Sequence, residues 1–164
     1  MKGVFLALFC GIALTCVCVD AIENFLENPL YQCIRCLCHA RSGCWIRQNC
    51  ARYSISRNYW QEAGALTVNN WSKGGDDYTR CMRDENCIVG TIIQYTQKFG
   101  KLDCNCDGKF DCKDRFAIHL FGPSCENPKF TSTYARRFNE CSARIGVATM
   151  LTEEGDNCEA PPVE

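Results

Sequence analysis

Histidine is nearly absent from this 164-residue chain: His39 and His119 are the only two. An imidazole base therefore has two candidates, and His119 reads as a packed or hydrogen-bonded helix residue. Long apolar runs are equally scarce. One lies at the start, and no second follows, which excludes a multi-span membrane protein. No internal repeat and no domain linker is visible. The formal net charge is −1, so the large cationic surplus of a nucleic-acid binder is missing.

Cysteine is abundant. There are 16, of which Cys10, Cys16 and Cys18 fall in the apolar start. That start has one base, Lys2, followed by Val4-Phe5-Leu6-Ala7-Leu8-Phe9 and Ile12-Ala13-Leu14, too short for a transmembrane helix. It predicts a signal peptide over residues 1–21, cleaved after Cys18 or Ala21, and a secreted, extracellular product with no membrane span. The remaining 13 cysteines then oxidise to a disulfide framework. Their odd number implies a free thiol or an intermolecular bridge.

Residues 22–151 are of a size for one domain with a true core. Residues 152–164 carry five acids and no base, ending Glu159-Ala160-Pro161-Pro162-Val163-Glu164, and read as a disordered tail. The body is left at about +4, a mild bias towards polyanions such as bacterial cell walls. Between 76 and 99, Cys81, Ile88, Ile92, Tyr95 and Phe99 form one apolar stripe at helical spacing. A break near Asp84 and a stop at Gly100 are expected. A second helix spans 127–145 through Phe130, Tyr134, Phe138, Cys141 and Ile145, and a shorter one spans about 111–120 before Gly122-Pro123. Residues 54–68 predict a short hairpin. The fold class is α+β, mainly helical with a small β element, and disulfide-stabilised.

The run Cys33-Ile34-Arg35-Cys36-Leu37-Cys38-His39-Ala40-Arg41-Ser42-Gly43-Cys44 resembles the start of invertebrate-type lysozymes, the destabilase group, which write C-x-x-C-x-C-x-x-E-S-G-C. Tyr53-Ser54-Ile55-Ser56 and Tyr59-Trp60-Gln61-Glu62 are similar to that family's Y-x-I and Y-W-x-D segment. Cys81-Met82-Arg83-Asp84-Glu85-Asn86-Cys87, Phe116-Ala117-Ile118-His119 and Gly122-Pro123-Ser124-Cys125 continue the match. The resemblance covers about Cys33 to Cys141 and implies a lysozyme-like fold. It also implies five disulfides: Cys33 with Cys112, Cys36 with Cys141, Cys38 with Cys44, Cys81 with Cys87, and Cys104 with Cys125. Cys50, Cys106 and Cys158 are left over.

The implied activity is hydrolysis of the β-1,4 glycosidic bond of peptidoglycan, which needs two carboxyl groups flanking the bond. Arg41 occupies the family's general-acid position, and a guanidinium does not give up its proton at working pH. The family's second carboxylate sits in a C-x-M-D-V-G-S-L-S-C segment. Only Trp45-Ile46-Arg47-Gln48-Asn49 lies between Cys44 and Cys50 here, so the Asp-bearing loop is missing. The resemblance thus implies no catalytic residue and a non-catalytic protein. Such a protein would bind bacterial cell-wall glycan, another polysaccharide or a protein through the family's cleft, lined by Tyr53, Ser54, Tyr59 and Trp60. For Trp60, core packing is an equal reading.

The alternative is an active lysozyme with relocated carboxylates, for which Glu62, Asp76, Asp77 and Glu85 are the candidates. Ser42 survives beside Arg41, but with no visible base to activate it. A zinc knuckle at Cys33, Cys36, Cys38 and His39 is the remaining chemical reading of the cluster. Asn70-Trp71-Ser72 is a glycosylation acceptor triplet. No organic cofactor is indicated. A calcium loop is: Asp103, Asn105, Asp107, Lys109 (through its carbonyl), Asp111 and Asp114 fall at ligand positions of a twelve-residue loop, with Gly108 at the sharp turn. The bland reading of that run is an acidic, cysteine-tethered turn that opens the helix at Asp111.

Overall fold

Buried positions in the first cysteine cluster include 33, 36, 37 and 40, which share one helix face, with 34, 38 and 39 buried beside them. In the computed structural model, which describes residues 23–43, 55–68, 76–106, 108–125 and 131–146, they form helix α1, Tyr31–Ser42. A one-turn 3-10 helix, Phe25–Glu27, precedes it. There follow α2 (Arg57–Glu62), α3 (Asp77–Cys81), α4 (Glu85–Lys98), α5 (Cys112–Phe121) and α6 (Ser132–Ile145).

Local chemistry sets the helix ends. The Asp84 carboxylate accepts the Cys87 N–H at 2.8 Å and starts α4, so the break near Asp84 is where the sequence places it. Asp76 caps α3, and Asp77 and Glu85 lie in first turns, where negative charge suits the helix dipole. Asp111 and Asp114 form a reciprocal capping box at the start of α5, which ends at Gly122. The described part of the predicted 127–145 helix begins at its cap, Thr131, whose side chain accepts the Tyr134 N–H. The hairpin expected over 54–68 is corrected. Ser56 caps α2 instead, its hydroxyl accepting the Tyr59 N–H at 3.1 Å, and no strand occurs among the described residues. Aromatic content mimicked a strand, but Tyr59 and Trp60 are adjacent and both buried, which an alternating strand does not allow.

The core lies between α1, α4, α5 and α6. Phe116 and Phe138 stack at 5.1 Å, and both are fully buried. Phe25 closes one side by packing on Gly90 of α4, where a Cβ would overlap its ring. Arg115 ties α5 to α4, donating to Thr96 Oγ1 at 2.8 Å and Gln97 Oε1 at 2.6 Å while its guanidinium covers Phe110. Four disulfides join the elements: Cys33–Cys112, Cys36–Cys141, Cys81–Cys87 and Cys104–Cys125. All four are pairs that the resemblance implies. Cys38 and Cys106 are disulfide-bonded too, with partners outside the described residues. Cys106 is therefore not left over. With Cys33, Cys36 and Cys38 all oxidised, the zinc-knuckle reading is overturned, because no thiolate remains to bind a metal. No helix among the described residues is long and apolar enough to cross a membrane. The predicted signal peptide, tail and Asn70 triplet lie outside the described residues.

Candidate functional site

The last turn of α1 carries Arg41, Ser42 and Gly43. Gly43 terminates the helix in the left-handed region (φ 76°), its N–H reaching the His39 carbonyl at 2.7 Å. The Cys36–Cys141 bridge holds this end of α1 across α6. Arg41 Nη1 donates to the Tyr134 hydroxyl at 2.8 Å, and its guanidinium carbon lies 5.4 Å from that ring's centroid. Its charge also suits the negative end of the α1 dipole. Arg137, three residues beyond Tyr134 on α6, rests against Gly43. A Cβ at Gly43 would sit 3.2 Å from the Arg137 Cζ, a tight contact that would displace the guanidinium slightly, and the positive φ itself favours glycine there. The Ser42 hydroxyl donates to the Cys38 carbonyl at 2.8 Å, a bond turned back into the helix.

A second polar group lies on α2, α4 and α5. The Tyr59 ring stacks on Tyr95 with centroids 3.6 Å apart, and its hydroxyl is 3.0 Å from His119 Nδ1. Burial, and next the neighbouring Tyr95, pushes the Tyr59 phenol well above its ordinary range. Tyr59 therefore stays protonated and hydrogen-bonded to His119, which is the packed helix residue expected of it. Trp60 Nε1 donates to the Leu66 carbonyl at 2.8 Å. Tyr59 and Trp60 are 8% and 7% exposed, so neither offers a ring face for a sugar to stack on. Tyr53 and Ser54 lie outside the described residues.

The candidate replacement carboxylates are mostly engaged. Asp76 pairs with Arg57 at 2.8 Å and caps α3; hydrogen bonds from Thr79 and Arg57 hold its carboxyl down at about 2. Asp77 pairs with Arg80, and Glu85 accepts from the Tyr31 hydroxyl at 2.8 Å. Glu62, exposed on the last turn of α2, has no hydrogen bond or ion pair among the described residues.

In the acidic loop, Asp103 Oδ2 accepts the Gly108 N–H at 2.7 Å. Asp111 accepts from the Lys113 N–H at 2.8 Å. The buried Asp114 carboxylate accepts two backbone N–H groups, from Cys104 at 2.8 Å and Asp111 at 2.7 Å. Asn105 is buried, Lys109 is exposed, and Asp107 lies outside the described residues. The donors are all oxygen, as a hard cation requires. No group of three or more His, Cys, Asp or Glu side chains is placed to hold a metal among the described residues.

The fold and site define a class: a helical, disulfide-stapled domain whose first helix is bridged to both α5 and α6. Within that class the chain belongs to the Destabilase family, whose model matches residues 30–141, well over half the sequence. The family is one of lysozyme-like glycoside hydrolases. The cysteine motif marks Arg41 but neither its partner Tyr134 nor Arg137, which lies against Gly43. Tyr134 reads as core by its stripe position, and Arg137 carries no motif. The usable signal is their spacing of three on a helix whose next residue, Phe138, is buried: that places both beside the core-facing stripe.

Proposed function

We propose that this chain is a secreted, non-hydrolysing member of its family that binds peptidoglycan or a related glycan beside the end of α1. The carrying observation is Arg41, a permanent cation hydrogen-bonded to Tyr134 where the family resemblance places the proton donor. The missing Asp-bearing loop supports the same reading. The oxidised cysteines and the apolar start support secretion. The test is a lysis assay on Gram-positive cell walls beside co-sedimentation with insoluble peptidoglycan. Retention without lysis is expected. Lysis by the purified chain that Glu62→Gln abolishes would overturn the proposal in favour of relocated carboxylates, for which Glu62 is the least engaged candidate.

We propose separately that the loop from Asp103 to Asp114 takes calcium weakly. Support comes from the spacing of its oxygen donors and from the crowding of Asp103 and Asp111 on Asp114, which raises the Asp114 pKa after burial has done so. A cation relieves such crowding. Calorimetric titration of chelator-treated protein should show binding in the range of about 10⁻⁴–10⁻³ M. No heat at millimolar calcium, with no change in melting temperature on chelation, ends that claim.

A further inference from the structure

Arg137 is half-buried, yet it forms no hydrogen bond or ion pair among the described residues. A guanidinium partly withdrawn from water loses hydration that it recovers only from an acceptor. The nearest acid along its own helix does not serve it: Glu140 pairs with Arg136 at 2.9 Å and stands 3.9 Å from His39. One turn before Arg137, the Tyr134 hydroxyl accepts from Arg41. Its own proton has no acceptor among the described residues and is available to donate. Gly43, lacking a Cβ, lets the Arg137 guanidinium lie against the end of α1 that also bears Arg41. Arg41, bonded to Tyr134, and Arg137, lying against Gly43, are thus both at the contact between α1 and α6.

We propose that Arg41, Tyr134 and Arg137 form a carboxylate-binding site that takes the acid group of an acidic glycan strand. A guanidinium presents a planar fork of donors matched to a carboxylate, and charge-assisted bonds of this kind are about twice as strong as neutral ones. Tyr59 and Trp60, the aromatic residues that the resemblance puts in the cleft, have buried rings and offer no face for stacking on a sugar. The inference rests on the glycan-binding reading above and specifies which chemical group is read.

Peptidoglycan and chitin share a β-1,4 N-acetylated backbone, but only peptidoglycan strands carry carboxylates. Binding of the whole secreted protein to both insoluble polymers separates the readings. The wild type should bind peptidoglycan at least about tenfold more tightly than chitin, with the gap narrowing as salt rises. Arg137→Gln should remove about tenfold of the peptidoglycan affinity and leave chitin binding unchanged. Tyr134→Phe, which keeps the ring and its packing, should weaken peptidoglycan binding in the same selective way. Equal binding to both polymers, insensitive to both substitutions, overturns the carboxylate site and leaves glycan binding standing. Retention on neither polymer overturns both.

Discussion

Arg41 stands where the family resemblance puts a proton donor. Its guanidinium stays charged and is held by the Tyr134 hydroxyl. Other single residues carry stability. Gly90 faces the Phe25 ring and lies close to Leu66, so Gly90→Ala overpacks the junction between the 3-10 helix and α4. It should cost about 1–3 kcal/mol in chemical denaturation, despite alanine's better helix propensity. Asp114 is a different case. Its two oxygens each accept a backbone N–H, and Asp114→Asn leaves one of those N–H groups facing an amide NH₂. A loss of about 1–3 kcal/mol follows. Burial, as the leading cause, raises the Asp114 pKa above the ordinary carboxylate range. The native state thus holds this proton more tightly than the unfolded chain does. The contribution is full below the unfolded pKa and is lost as pH rises through the folded one. Denaturation curves across that acidic window should show this fall in the wild type and not in Asp114→Asn.

At the scale of elements, the helices were legible where capping and periodicity agree. The Asp84 break, the Asp111 start and the Gly122 stop all follow from side chains that satisfy helix-end groups. Helix α1 was not legible as a helix, because its cysteines read as a disulfide framework. Counted as the buried apolar residues they are, Cys33 and Cys36 complete a helical stripe with Leu37 and Ala40. Helix α2 was hidden by its length: six residues are too few for periodicity to separate a helical turn from a strand. The bridges divide by reach. Cys36–Cys141 spans 105 residues of sequence and Cys81–Cys87 spans 6. On chain-entropy grounds, replacing both cysteines of the first pair by serine should cost about 4–5 kcal/mol, and of the second about 2 kcal/mol. Melting of the two double variants checks the order, which reverses if local packing around Cys81 outweighs loop closure.

For the whole molecule, family membership was legible from the order of short motifs along the chain, and the match over residues 30–141 bears it out. The site was legible only in its first residue. Arg41 falls inside a motif, whereas Tyr134 and Arg137 lie more than ninety residues away and meet the end of α1, at Arg41 and Gly43 respectively, only through the α1–α6 crossing that Cys36–Cys141 bridges. Tyr59 and Trp60 carry the resemblance just as strongly, yet the fold spends them on the core, since a motif does not reveal which face of a ring is covered. The proposed function is glycan binding without hydrolysis. Its most direct measurement is the release of reducing ends from purified peptidoglycan by the wild-type chain and by Arg41→Glu, with the polymer-bound fraction scored in the same tubes. Retained protein is expected, with no release above the no-enzyme blank for either form, because restoring one carboxyl group leaves the second still missing. Release by the wild-type chain that grows with time and enzyme concentration would contradict it.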